Sequence, residues 1–336
     1  MIALHLPALL ISALAALRGL RSTSLSASGA TAAFFFGYTT LASPLRLFGV
    51  CLLGFYLAGS KATKVKANVK ATFEEPEHAP PVSNAARTGA ADKKVTVEGG
   101  RRTATQVACN ALVGSVCSIL WRILYSGEVS TFTGWNDATR WCVVAKYDES
   151  DPLRWSRVLV MAAVAFWSAC CGDTFASELG ILAKSPPILI TRPFAGYVPR
   201  GTNGGITVWG LFVSLLGGTF VGALAVTCLI AQGQANACSA GGRNWSWAIE
   251  LLTIASLSGL GGSLLDSFLG ALFQPTLYSR TRKLVVHRQH PVHASKVDDV
   301  IVIPGTAVLG PRLSNNGVNA VMGFATSVAV AVWVSV

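Results

Sequence analysis

Three carboxylates stand where an apolar chain should not keep them. Asp173 closes an apolar run in Cys171-Gly172-Asp173-Thr174-Phe175-Ala176-Ser177-Glu178-Leu179-Gly180, and Asp266 is embedded in Gly261-Gly262-Ser263-Leu264-Leu265-Asp266-Ser267. Ionisable groups inside apolar segments are expensive to desolvate and mark function by default. Carboxylate oxygens gathered at one depth are what Mg²⁺ carrying a nucleotide phosphate requires. Asp173, Glu178 and Asp266 are therefore the expected metal ligands, and Asp173 is also the residue expected to act in catalysis. Asp173 and Glu178 are five positions apart, roughly 140° around a helix. They can share one metal only where the helix breaks or where one acts through water. Interhelical hydrogen bonding is the plainer role for polar residues in such segments. It suffices for Gln106 and Asn110, four apart on one helix face.

The second chemistry is anion binding. Pro199-Arg200-Gly201-Thr202-Asn203-Gly204-Gly205 precedes an apolar run. Its glycines free backbone N–H groups, Thr202 brings a hydroxyl and Arg200 a charge, and at a helix N-terminus this is an anion site. Lys61 and Lys64 in Gly59-Ser60-Lys61-Ala62-Thr63-Lys64, and Arg101 in Glu98-Gly99-Gly100-Arg101-Arg102, combine glycine with cationic side chains. That pattern suits a phosphate cradle or anchors against anionic lipid headgroups. The expected nucleotide- or phosphate-binding set is Lys61, Lys64, Arg101, Arg200, Gly201, Thr202, Asn203 and Gly204.

The elements that must carry these residues are membrane helices. Of 336 residues, 51% are hydrophobic and 13% charged, with mean hydropathy +0.50; soluble domains carry roughly 25% charge. A span needs about 20 apolar residues. Eight segments are candidates, at about 2–17, 28–42 and 45–60 (both short), 104–125, 156–172 (with helix continuing to about 183), 205–231, 247–273 and 314–335. The expected fold is an all-α polytopic bundle of about eight transmembrane helices, one membrane domain over 1–336. A cytosolic loop over 61–103 carries a flexible acidic, proline-containing insert at about 74–95. The first segment lacks a basic region before its apolar run and is followed by Arg18 and Arg21, so it reads as an uncleaved helix rather than a signal peptide.

The net charge of +11 is clustered. The clusters border apolar runs, so they mark loops of a membrane protein rather than a nucleic-acid surface. Alternating the loops places twenty Lys and Arg on one side and seven on the other, which makes the crowded side cytosolic and both termini lumenal. Asn244-Trp245-Ser246, a glycosylation sequon, falls on the lumenal side, and Trp121, Tyr125, Trp135, Trp141 and Trp155 suit an interfacial belt. Cys51, Cys109, Cys117, Cys170, Cys171 and Cys228 lie in or beside apolar segments and read as packing residues. Cys142 and Cys238 fall in lumenal loops, where a disulfide is permitted.

Several strings resemble the transmembrane protein 19 family: Gly172-Asp173-Thr174 with Ser177-Glu178-x-Gly180, Lys184-Ser185-Pro186-Pro187, Pro199-x-Gly201-Thr202-Asn203-Gly204-Gly205, Glu98-Gly99-Gly100-Arg101 with Gln106-Val107 and Cys109-Asn110, and Gly262-Ser263-x-x-Asp266-Ser267. The resemblance covers nearly the whole chain apart from about 74–95. The wider family includes the plant plastid enzyme that phosphorylates phytyl phosphate. More distantly, the motifs are similar to those of CTP-dependent dolichol and phytol kinases, which carry Gly-Asp-x-x-Ala-x-x-x-Gly, matched here by Gly172, Asp173, Ala176 and Gly180. Those enzymes follow it with Lys-Ser/Thr-x-Glu-Gly. Here the string is Arg200-Gly201-Thr202-Asn203-Gly204, with Asn203 at the acidic position. Asn315-Asn316-x-x-Asn319 replaces their Asp-rich string. Both departures lose negative charge.

The resemblance implies an isoprenyl- or phytyl-phosphate kinase of the endoplasmic reticulum, using Mg²⁺ and a nucleotide such as CTP, with an isoprenoid lipid phosphate and the bilayer as partners. Two other functions fit the same residues. One is a transporter or flippase of a phosphorylated or lipidic solute. The other is a membrane protein that binds lipid without catalysis.

Overall fold

The computed structural model describes residues 5–73, 101–125, 141–239, 244–286 and 300–336. All eight apolar segments form helices: α1 (Leu6–Arg21), α2 (Ala27–Leu41), α3 (Leu47–Ala62), α7 (Arg154–Gly180), α8 (Val208–Ala231), α10 (Ser246–Phe273), α11 (Asn315–Ser335) and a broken pair, α5 (Ala104–Cys109) and α6 (Leu112–Tyr125). Short helices α4 (Ala67–Lys70) and α9 (Gln234–Cys238) complete the set. Four of these, α7, α8, α10 and α11, are long and apolar enough to cross a membrane, while α3 and α6 are shorter apolar helices. The segment expected at 104–125 breaks because the Asn110 amide donates to Gln106 O at 2.9 Å. This side-chain bond to the preceding turn competes with the helical ladder.

Helix α7 is the hub. Its residues from Val160 to Gly172 are buried throughout, as a helix wrapped by neighbours must be. It packs against α3, α6, α8, α10 and α11. Absent side chains let the backbones meet. A methyl built on Gly172 would lie 2.4 Å from Gly259 O, one on Gly217 2.8 Å from Cys171 O, and one on Gly218 2.3 Å from Ala255 O. Small residues at such crossings supply close packing where burial from water cannot drive association.

The long helices alternate in direction, so one end of the bundle collects the ends of α1, α3, α7 and α10 and the starts of α2, α5, α8 and α11. Each of those four starts is capped by a hydroxyl: Ser26 to Gly29 N, Thr103 to Gln106 N, Thr207 to Gly210 N and Ser314 to Gly317 N. Such caps satisfy orphan backbone donors. Four helix N-termini, the positive ends of their dipoles, thus face the same end.

That end also departs from the expected all-α architecture. β1 (Ile188–Leu189) pairs antiparallel with β2 (Gly205–Ile206), and β3 (Leu277–Ser279) sits between β4 (Leu284–Val286) and β5 (Val300–Val302) in an antiparallel sheet. Strands of two or three residues are too short to leave a period-two signal in sequence.

The opposite end is tied differently. Cys142 and Cys238 form a disulfide. The Arg157 guanidinium, almost fully buried, meets Glu250 through two N–H···O contacts at 2.6 and 3.2 Å and also donates to Val144 O at 2.8 Å. Trp121 Nε1 donates to Ser156 Oγ at 2.8 Å, and Gln232 Oε1 accepts from Arg46 N at 2.9 Å. The expected insert at about 74–95, the string Glu98-Gly99-Gly100 and Trp135 lie outside the described residues.

Candidate functional site

At the end where the capped helix starts meet, a cavity of about 1240 Å³ opens between α3, α5, α7, α8, α10 and α11. Sites for small ligands usually enclose roughly 300–1,000 Å³, so this one could hold two phosphorylated groups together. Asp173 comes from the last two turns of α7, Asp266 from the corresponding depth of α10, and both line it. Their carboxyl groups lie within hydrogen-bonding reach of each other. With its amide turned so that the nitrogen faces these acceptors, Asn319 donates to Asp266 Oδ1 at 3.1 Å and to Asn315 O at 3.0 Å. The asparagines at the start of α11 thus stand against the acidic pair.

Glu178 also lines the cavity but is engaged elsewhere. Lys70, buried on α4, donates to Glu178 Oε2 at 2.5 Å, to Thr63 O at 2.8 Å and to Ala62 O at 3.2 Å. An ammonium has three donors, and all three are used. Among the described residues no three of His, Cys, Asp and Glu converge on one point. Of the three carboxylates expected to act together, Asp173 and Asp266 are brought to each other and Glu178 stands apart. The physical reason is the one the spacing implied: α7 stays helical through Gly180, so Asp173 and Glu178 face different ways.

Two of the expected cations fall outside the wall. Lys61 is exposed at the end of α3 and does not line the cavity, whereas Ser60 and Thr63 on either side of it do. Lys64 does line the cavity. Arg101 is exposed, and its neighbour Arg102 points inward instead. The backbone fixes that choice. Arg102 pairs with Leu25 as a short parallel bridge, its N–H donates to Ser24 O at 3.1 Å, and its carbonyl accepts from Ser26 N at 3.0 Å. In extended chain, successive side chains take opposite sides. Burial pushes the Arg102 guanidinium below its usual value, and the Glu178 carboxylate and Tyr56 oppose that shift.

The 199–205 loop lies over the cavity with its glycines in use. Gly201 and Gly204 have φ +83° and +80°, and a methyl on Gly204 would meet Ala271 Cβ at 2.4 Å. The loop is anchored to the end of α10 where Asn203 N donates to Thr276 Oγ1 at 2.9 Å. Thr202 is buried and donates its hydroxyl to Pro199 O at 2.6 Å. Arg200 donates to Lys184 O at 2.9 Å and stacks over the Phe73 ring at 4.7 Å. Arg200, Gly201, Thr202, Asn203 and Gly204 all line the cavity. Arg312, adjacent to α11, lines it as well and had no sequence signal beyond its charge.

Comparison with known proteins agrees with this architecture. Residues 10–327 match the family model described as integral membrane protein DUF92. Protein PGR of Arabidopsis thaliana is 32% identical over 334 residues, covering 96% of this chain and 94% of the relative. An uncharacterized membrane protein of Methanocaldococcus jannaschii is 29% identical over 136 residues, covering 40% of this chain and 45% of that protein. No solved structure matches. The chain is thus an integral, multi-pass membrane protein, and it belongs to the DUF92 family, as its resemblance to the transmembrane protein 19 family implied.

Proposed function

We propose that the cavity is the site of a membrane-embedded phosphotransferase, moving a phosphoryl group from a nucleotide such as CTP onto an isoprenyl or phytyl monophosphate. One observation carries this reading. The Asp173–Asp266 pair sits in a cavity also lined by Lys64, Arg102, Arg200 and Arg312. The paired carboxyls suit a cation and the basic residues suit phosphate. Mg²⁺ is commonly held by one or two carboxylates plus substrate phosphates, so this donor set fits it. Asp173 and Asp266 would hold the ion, which would neutralise charge on the transferring phosphoryl group.

The acceptor phosphate is already an oxyanion, so no side chain need remove a proton from it. Its oxygen forms a new bond to the terminal phosphorus of the nucleotide, the bridging P–O bond breaks, and a nucleoside diphosphate leaves. Catalysis then rests on positioning and electrostatics. The cationic wall, with the N-termini of α8 and α11 at its border, supplies both. The cytosolic side of the endoplasmic reticulum suits the cavity, since the basic excess lies there and the Cys142–Cys238 disulfide lies at the other end, where an oxidising lumen would maintain it.

The test uses the purified full chain in detergent with phytyl or farnesyl monophosphate, Mg²⁺ and labelled CTP or ATP. The expected result is a lipid diphosphate, formed at least about a hundredfold more slowly by Asp173→Asn and Asp266→Asn. Absence of product with either nucleotide, or wild-type rates in both variants, would end the proposal.

A further inference from the structure

Within that site, we infer that Arg102 is the cation that takes the phosphate monoester of the membrane-borne acceptor, in a subsite separate from the Arg200 loop. The inference deepens the phosphotransferase reading and rests on it for the identity of the acceptor, but not for the existence of the subsite.

The argument begins with which cations are free to bind. Lys70 has spent its three donors on Glu178, Thr63 and Ala62. Arg200 is committed in part to Lys184 O and Phe73. Lys64 and Arg312 also line the cavity but are exposed to water, whereas Arg102 is half-buried. Its guanidinium carries five N–H donors, and its one side-chain hydrogen bond among the described residues is a long one, Nη1 to Ser60 Oγ at 3.4 Å. It makes no ion pair among those residues, since Glu178 is taken by Lys70. A guanidinium that is largely withdrawn from water and faces a cavity needs acceptors there. A phosphate monoester offers them in the paired geometry that arginine matches best.

Position decides what the phosphate could do. A methyl on Gly59 would lie 3.7 Å from Arg102 Nη2 and 3.4 Å from Thr174 Cγ2. The guanidinium therefore sits across one glycine from the residue next to Asp173. Ser22, Ser24, Ser60, Gln106 and Asn110 give the same wall further hydroxyl and amide groups. A phosphate held here would lie on the wall made by the ends of α3 and α7 and by the segment before α5, whereas the 199–205 loop enters the cavity from the segment before α8 and would take the donor.

The source of the phosphate follows from the elements behind this wall. They are the α1–α2 turn and the end of α3, and α1 exposes Leu6, Leu10, Leu14 and Leu17 along its outer face. Lipid reaches the bundle along this apolar face, as it does along the exposed faces of α6, α8, α10 and α11. A phosphate on an alkyl tail can arrive there without leaving the bilayer.

The test measures binding, not turnover. Farnesyl monophosphate, inorganic phosphate and CTP are titrated separately into the purified chain in detergent, and dissociation constants are read for wild type, Arg102→Gln, Arg102→Lys, Ser60→Ala and Arg200→Gln. Arg102→Gln should bind farnesyl monophosphate about ten- to a hundredfold more weakly, the effect of removing a charge-assisted pair. Arg102→Lys should recover part of the loss, and Ser60→Ala should lose less than Arg102→Gln. CTP binding should fall in Arg200→Gln and stay within about twofold in Arg102→Gln. Only the side chain is changed, so the backbone bonds of residue 102 to Ser24 and Ser26 remain, and unchanged CTP affinity reports an intact fold.

Undiminished farnesyl monophosphate binding in Arg102→Gln would overturn the inference. So would no binding by the wild type, or loss of CTP affinity in its place. Inorganic phosphate binding as tightly as the lipid, with the same Arg102 dependence, would refute the membrane-borne source. If farnesyl monophosphate binds through Arg102 and no diphosphate is ever formed, the subsite stands and the transferase reading falls.

Discussion

Residue 204 shows how a single position ties the loop to the bundle. Gly204 has φ +80°, and a methyl there would sit 2.4 Å from Ala271 Cβ and 2.9 Å from Ser267 O. Gly204→Ala therefore adds left-handed strain of about 1–2 kcal/mol to an overpacking term of about 1–3 kcal/mol. It should lower stability by about 2–5 kcal/mol in a denaturant titration in detergent. Gly261→Ala is the contrasting case, because nothing lies within 4 Å of a methyl there and the residue is in the interior of α10. That substitution should be neutral or stabilising by up to about 1 kcal/mol. Equal destabilisation by both would show that close approach is not what Gly204 supplies. At this scale the sequence spoke unevenly. Asp173 and Asp266 were legible as carboxylates in apolar runs, since no other feature explains their cost. Arg102 was not told apart from Arg101, because which of two adjacent arginines turns inward depends on the pairing with Leu25, 77 positions away. The Lys70–Glu178 pair, separated by 108 positions, left no local trace.

At the scale of elements, the end opposite the cavity is held by charge as well as by apolar packing. Arg157 enters the bundle one turn into α7, and Glu250 meets it from the first turn of α10, while Val144 O takes a further donor. Removing one member of a buried pair leaves the other unpaired at about 3–5 kcal/mol. Glu250 retains some solvent access, so Glu250→Gln should cost about 3 kcal/mol of stability. The double change Arg157→Met with Glu250→Met should cost less than the single change, since no charge is then stranded. The check is a double-mutant cycle of unfolding in detergent; additive losses would mean the two do not act as a pair. The helices themselves were legible, because apolar runs of this length have few other solutions. The break after Cys109 and the three-stranded sheet were not. One follows from a side-chain bond of Asn110 to the turn before it, and the other from strands only three residues long.

For the whole molecule, the alternating direction of the helices carries a prediction about sidedness. Lys64 and Arg312 lie on the cavity wall, whereas Asn244 is exposed at the start of α10, at the disulfide end. If the bundle crosses the membrane as its basic excess implies, cysteines placed at 64 and 312 should label together with a membrane-impermeant maleimide applied from the cytosolic side of sealed vesicles. A cysteine at 244 should label only once the vesicles are opened. The same vesicles give a second reading of the geometry. A soluble nucleotide reaching the cavity from the cytosol should protect position 64, which borders it, and leave position 244 unaffected. Labelling of 64 and 244 from one side would contradict both the charge distribution and the alternation of the helices. Labelling of 64 only in opened vesicles, with 244 reactive in sealed ones, would keep the architecture and invert it. The cavity would then face the lumen, the disulfide end would face the reducing compartment, and a cytosolic nucleotide could no longer be the phosphoryl donor. The orientation of the bundle and the chemistry of the cavity thus stand or fall by one labelling pattern, because the donor must enter from the side on which the cationic wall opens.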